Sequence, residues 1–198
     1  MKGLRPSNPY MREISQYERG KDGSRRGIGL FTIGELAMKY SWAIPDYRVA
    51  RVLKRLLPHN RIFDLGAGTG YWAMYLSQYG FDVTAADIQP YQNEHADGNY
   101  FNVLEGGIEL VRKYRKRILM LVYPPVGDFG MRAVEEYNAV GGQWLVVVAS
   151  SNVRHWGSSE LIKHMQDEWE DVGGVPLRTY RNPEEPFQTM LWVLRKRN

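Results

Sequence analysis

The 198-residue sequence predicts an α/β fold, a mostly parallel sheet with helices on both faces. Three observations carry that prediction. The run Arg61-Ile62-Phe63-Asp64-Leu65 leads into the glycine-rich turn Gly66-Ala67-Gly68-Thr69-Gly70 and reopens as a helix at Tyr71-Trp72. Further apolar runs at 82–86, 118–123 and 144–149 alternate with helical patterns, and 118–123 is apolar throughout, as a central parallel strand requires. Near the end, runs at 177–181 and 189–194 follow one another with no helical pattern between them. They are expected to pair as an antiparallel hairpin around Asn182-Pro183-Glu184-Glu185-Pro186.

In chain order, residues 1–29 lack periodicity and hold Gly, Pro, Ser and charge, so they read as a basic arm ahead of a domain at 30–198. Residues 34–39 suit a short helix. Pro45-Asp46 opens a stronger one to about residue 57, with Val49, Ala50, Leu53, Leu56 and Leu57 on one face and Pro58 as its stop. The helix at 71–79 ends at Gly80, a suitable C-terminal cap. A polar loop at 88–98 precedes a short strand at 100–104 and a helix at 107–114. A helix at 132–139 is closed by Gly141-Gly142, and another runs from the capping Ser158 to about residue 170.

Composition excludes several functions. There is no cysteine, hence no disulfide, thiolate nucleophile or thiolate metal site. His59, His95, His155 and His164 show no metal-ligand spacing, so no metal is expected. No stretch approaches the ~20 apolar residues of a membrane helix, and the N-terminus lacks a signal-peptide run. A cytoplasmic protein is expected, in the host cytoplasm should it be viral. The whole net charge of +4 sits in residues 1–29. Such an arm suits nucleic-acid phosphates or an acidic surface, and equally a solvated tail. Two more basic runs are Arg112-Lys113-Tyr114-Arg115-Lys116-Arg117, expected at a helix C-terminus, and Arg195-Lys196-Arg197.

The turn at 64–70 holds the chemistry. Spaced glycines let backbone approach a ligand, and Asp87, closing the next run, is placed to bind two ribose hydroxyls. A dinucleotide site wants Gly-x-Gly-x-x-Gly, but Tyr71 takes the third glycine's place and Asp64 would face the pyrophosphate. No Gly-Lys-Ser/Thr follows, so a Walker loop is excluded. A cofactor with a sulfonium, an ammonium and no phosphate suits Asp64 better, and S-adenosylmethionine has these. The bland alternative is an ordinary strand-turn-helix corner.

Asp64-x-Gly66-x-Gly68-x-Gly70 followed by Asp87 resembles the first two motifs of class I S-adenosylmethionine-dependent methyltransferases, and the similarity extends over most of 40–195. Tyr40-Ser41-Trp42-Ala43-Ile44-Pro45 and Leu121-Val122-Tyr123-Pro124-Pro125 are similar to a little-characterised subgroup with Trp-Ala-Ile/Val-Pro and Trp-Pro-Pro segments. The resemblance implies a Rossmann-like class I methyltransferase fold of seven strands, parallel but for the terminal hairpin. It places the ligand at the C-terminal ends of the first and fourth strands. It implies S-adenosylmethionine as cofactor and S-adenosylhomocysteine as product, held by Asp64, Gly66, Ala67, Gly68 and Gly70. Asp87 would take the ribose diol and Ile88 the adenine face. Asn102, or else Asp97, would meet the adenine edge. Tyr40 and Trp42 would cover the methionine end or the sulfonium as a lid, with core packing as the competing account.

Methyl transfer from a sulfonium needs alignment and dryness more than a catalytic triad. The candidate catalytic residues are Tyr123, Pro124 and Pro125, expected to face the methyl group, with Asp128 as the nearest base. Amino-methyltransferases begin this motif with Asn, Asp or Ser. Tyr123 departs from that, so its hydroxyl or its ring face would orient the substrate, or it would be structural. Ser150, Ser151, Asn152, Arg154, His155 and Trp156 form a candidate substrate wall, with His155 a further base. The acceptor stays open between a small molecule and a nucleic acid reached through the basic arm. The alternative is a catalytically silent S-adenosylmethionine-binding protein acting as a binding or assembly module.

Overall fold

Seven strands build one sheet: β1 (Arg61–Leu65), β2 (Asp82–Asp87), β3 (Val103–Glu105), β4 (Ile118–Val122), β5 (Trp144–Ser150), β6 (Trp169–Pro176) and β7 (Thr189–Lys196). The computed structural model describes residues 6–18, 29–90, 99–152, 156–178 and 188–197. The strand order is β3-β2-β1-β4-β5-β7-β6, parallel from β3 to β5, with β7 antiparallel to both β5 and β6. The order reverses between β1 and β4. Their C-terminal ends therefore diverge into a crevice, the natural ligand site of an open α/β sheet.

Seven helices accompany the sheet among the described residues: α1 (Pro9–Tyr17), α2 (Leu30–Lys39), α3 (Tyr47–Leu56), α4 (Tyr71–Ser77), α5 (Leu110–Lys113), α6 (Phe129–Ala139) and α7 (Ser159–Glu168). Successive strand residues point to opposite faces, so each central strand feeds two cores. Ile62, Met120 and Val146 pack with Val49 and Leu53 of α3 and Trp72 and Leu76 of α4. Phe63, Leu119 and Val147 pack with Ala133 and Val134 of α6 and Leu161 of α7. This double burial is why β4 and β5 read as unbroken apolar runs. The expected caps are present: Asp46 accepts from the Arg48 amide and Ser158 from the Leu161 amide.

Two expected strands are displaced. The third begins at Val103 rather than residue 100. The first hairpin strand lies at 169–176, not 177–181. Its Gly173-Gly174 pair and a register shift between Asp171 and Gly173 erase the alternation that marks a strand in sequence. A Cβ on Gly174 would come 2.0 Å from the Leu191 carbonyl oxygen, so close pairing with β7 requires glycine there. Arg178 forms only an isolated bridge with Ile44, and residues 179–187, with the expected connecting loop, lie outside the described residues.

The aperiodic reading of residues 1–29 is corrected over 9–17. Asn8 caps α1, Pro9 occupies its first turn, and Tyr10 and Ile14 are fully buried one turn apart. The Tyr10 amide donates to Tyr71 Oη at 3.1 Å, and Tyr71 Oη donates to Asn8 Oδ1 at 2.9 Å. The Tyr10 hydroxyl donates to the Ser41 carbonyl at 2.9 Å, and its ring stacks on Tyr40 at 4.7 Å. Glu18 pairs with Arg178. α1 is thus part of the core. The remaining arm cations Lys2, Arg5, Arg19, Lys21, Arg25 and Arg26 lie outside the described residues.

Tyr71→Phe removes the acceptor of a buried amide and should destabilise the protein by about 1–3 kcal/mol. A fall in the urea midpoint at unchanged m-value checks this.

Candidate active site

The corner after β1 is shaped by three left-handed glycines, Gly66 (φ 76°), Gly68 (φ 54°) and Gly70 (φ 73°). At Gly70 a side chain is excluded by space as well, because a Cβ would sit 2.8 Å from both Phe101 Cβ and Val103 Cγ2. The amides of Gly66 and Ala67 both donate to the Ala86 carbonyl, at 2.8 and 3.0 Å. Asp87 completes the tie between β1 and β2. Its Oδ2 accepts from the Gly68 amide at 2.9 Å and its Oδ1 from the Gln89 amide at 3.0 Å.

The opposite wall is residues 37–42, pinned to the corner from two sides. Thr69 Oγ1 donates to the Tyr40 carbonyl at 2.7 Å, and Trp72 Nε1 to the Ala43 carbonyl at 3.0 Å. Between the walls lies a cavity of about 490 Å³. Asp64, Gly66, Ala67 and Gly68 line one side, Met38, Tyr40 and Trp42 the other, with Asp87, Gln89 and Val122 at its ends.

Asp64 is fully buried, and neither carboxylate oxygen has a hydrogen-bond partner among the described residues. Burial, and secondarily repulsion from Asp87, push its pKa up to about 8. A buried carboxylate with no donor fits a ligand that brings a cation.

The other expected site residues divide. Ile88 is exposed beside Asp87, and a Cβ on Gly107 would come 3.1 Å from its Cγ2. Asn102 does not join the cavity: it precedes β3 and points to solvent. The turn after β3 stands beside Asp87 without lining the cavity. Glu105 is the register partner of Asp87, and the Gly106 amide donates to the Asp87 carbonyl at 3.0 Å. Sequence reasoning missed this turn, although Glu105-Gly106-Gly107 after an apolar pair was its signal. Asp97 lies outside the described residues.

Tyr40 is not a free lid. Its ring is buried between Tyr10 and Tyr100, and its hydroxyl bonds Glu13. Burial and that bond raise its pKa. Trp42, by contrast, is exposed at the mouth.

Tyr123 holds a left-handed conformation (φ 48°) just past β4, and its side chain turns away from the cavity. Its hydroxyl lies 3.1 Å from Thr189 Oγ1, and burial raises its pKa. Pro124 is buried and its carbonyl accepts from the Gly157 amide at 2.9 Å, while Pro125 is exposed. Asp128 is exposed, pairs with Arg132 at 3.6 Å and does not line the cavity. Ser150, Ser151 and Trp156 line a separate cavity of about 460 Å³ against α7 and the hairpin, not the cofactor crevice. Arg154 and His155 lie outside the described residues.

The basic run lands far from the crevice. Arg61 and residues 112–117 form a patch at the N-terminal ends of β1 and β4. There Arg117 pairs with Asp82 at 3.0 Å. Among the described residues no lysine or arginine lines the cavity, and no cluster suits a metal. No helix among them is long and apolar enough to cross a membrane.

Residues 41–175 match the methyltransferase domain family. The chain belongs to this family. Solved structures agree on the fold. The Thermoplasma acidophilum 1320 protein superimposes with a TM-score of 0.52 at 16% identity, covering 86% of this chain and 99% of that one. The magnesium protoporphyrin IX methyltransferase of Synechocystis with bound S-adenosylhomocysteine gives 0.50 at 14%, covering 96% of each. The 1,6-didemethyltoxoflavin-N1-methyltransferase of Burkholderia thailandensis gives 0.50 at 14%, covering 96% of this chain and 88% of that one. Among curated proteins none matches the sequence. Family and fold thus agree with the sequence reading: the chain carries a methyltransferase domain on a seven-stranded sheet, parallel but for its terminal hairpin.

The methyltransferase should show the imprint of Asp64 in its pH dependence. The unfolded chain releases this proton near pH 4, the native state only near 8. Between those values the native state binds more protons, so the contribution of Asp64 to stability falls as pH rises, by up to ~1.4 kcal/mol per unit. Asp64→Asn should therefore gain stability relative to the parent protein between pH 5 and 8, as read from urea melts at both values.

Proposed function

We propose that the cavity between the glycine corner and residues 37–42 binds S-adenosylmethionine and that the enzyme methylates a small-molecule acceptor. The observation that carries the cofactor placement is the orphaned carboxylate of Asp64. It fits an amino-acid ammonium, which would hold Asp64 ionised. Asp87 keeps free lone pairs for two ribose hydroxyls while its bonds to Gly68 and Gln89 fix its orientation. The left-handed corner lets backbone amides come close, and Ile88 offers an apolar face to the base. When bound, the cofactor supplies a methyl carbon activated by a positive sulfur. The chain's task is to align an acceptor with that carbon, at a mouth where Met38 and Trp42 stand.

A small acceptor is supported by charge. Among the described residues no lysine or arginine lines the wall, and Asp87 there opposes a phosphate backbone. A described cluster of cations that would attract one sits at the other end of the sheet.

A second reading, a cofactor-binding module without turnover, is favoured by one feature. Tyr123 and Asp128 are engaged with Thr189 and Arg132, so neither side chain serves as a base at the cavity.

Isothermal titration with S-adenosylmethionine tests the cofactor site. Asp87→Ala should weaken binding by about 1–3 kcal/mol. At pH 7 binding should release a proton from Asp64, seen as a dependence of the heat on buffer ionisation enthalpy that Asp64→Asn abolishes. No heat at saturating ligand would reject the site. Labelled methyl transfer into a small-molecule extract supports the enzyme, transfer into RNA or DNA rejects a small acceptor, and binding without transfer supports the silent module.

A further inference from the structure

Among the described residues, seven large apolar side chains are exposed, and four of them, apart from Ile88 at the adenine end, belong to the crevice end of the sheet. Met38 (42% exposed) and Trp42 (54%) stand in the cavity wall itself. Phe31 (80%) lies two helical turns before Met38, on the same face of α2. Val126 (70%) lies in the loop four residues past Val122, another wall residue. Side chains of this kind exposed together mark a site that is covered in use.

Resting on the cofactor placement above, we infer that this rim binds the methyl acceptor, and that the acceptor is an apolar, aromatic small molecule without phosphate groups. The rim is continuous with the cavity through Met38 and Trp42, so whatever covers it also meets the reacting carbon. An indole face and a thioether favour a flat ring. With Asp64 paired to the cofactor ammonium, Asp87 is the remaining charge of the wall among the described residues and no lysine or arginine lines it, which disfavours an anionic acceptor.

The step balances without an enzyme base. The acceptor's lone pair forms the new bond to the methyl carbon, and the carbon–sulfur bond breaks with its pair remaining on sulfur. Any proton on the acceptor atom leaves to water at the open mouth. The acceptor atom is therefore one that attacks while neutral, such as an aromatic nitrogen with a free lone pair.

The neutral fluorophore N-phenyl-1-naphthylamine is the probe, titrated into the full chain with saturating S-adenosylhomocysteine. Its fluorescence should rise and saturate. The double substitution Phe31→Ser/Val126→Ser should weaken probe binding by about tenfold, the scale of losing two half-buried apolar contacts, while S-adenosylhomocysteine affinity stays within about twofold. 1-Naphthyl phosphate should bind more weakly than the neutral probe. No probe binding, equal binding to the double variant, or a phosphate that binds as tightly would each overturn the acceptor class while leaving the cofactor site standing. Failure of S-adenosylhomocysteine to bind in calorimetry would overturn both.

Discussion

The Asp87 carboxylate is the constraint on which the site depends. It closes β2 and caps two loops at once, receiving the Gly68 amide from the corner and the Gln89 amide from its own following turn. Three glycines in left-handed conformation make the corner possible but do not hold it. A loop of that composition has wide conformational freedom, and the hydrogen bonds from Asp87 and from the Ala86 carbonyl select one geometry. The group proposed to read the ribose is therefore also the group that shapes the backbone beside it. Binding and architecture share one side chain.

Asp64 adds stored electrostatic cost. A carboxyl buried in a central strand, one neighbour away from a second acid, has no reason to exist in a purely structural core. An incoming cation converts that cost into attraction. The rest of the charge distribution agrees with this polarity. Acids lie at the C-terminal ends of β1 and β2, and cations crowd the N-terminal ends of β1 and β4. Among the described residues, the same parallel strands thus present opposite surfaces at their two ends.

The outer wall is rigid for a reason outside the glycine motif. Tyr10, Tyr40, Tyr71 and Tyr100 form a ring cluster, with centroids 4.7 to 5.8 Å apart in the contacts linking them. Each such pair adds about 0.5–1.5 kcal/mol beyond burial. α1 supplies Tyr10 and, through Glu13 and Asn8, ties the hydroxyls of Tyr40 and Tyr71. The backbone of residues 40–43 is consequently anchored on both sides, by this cluster and by Thr69 and Trp72. Trp42 is left exposed at the mouth.

Sequence by itself determined the strand–turn–helix corner, the acids at 64 and 87, the parallel sheet with its terminal hairpin, and the family. These are local or periodic signals: glycine spacing, apolar runs and capping residues act within a few positions of themselves. Tertiary structure alone decided the rest. Tyr123 and Tyr40 both look like site residues in a linear string; Tyr40 lines the cavity and Tyr123 does not, and their hydroxyls bond Glu13 (from Tyr40) and Thr189 (from Tyr123), partners 27 and 66 positions away. The register of β3 on β2 puts Glu105, not Asn102, beside Asp87. α1 escaped notice because only Tyr10 and Ile14 are buried in it, and two residues make too short a pattern to read without the surface they dock on. Long-range pairing fixes where a side chain points, and no spacing within a segment encodes it.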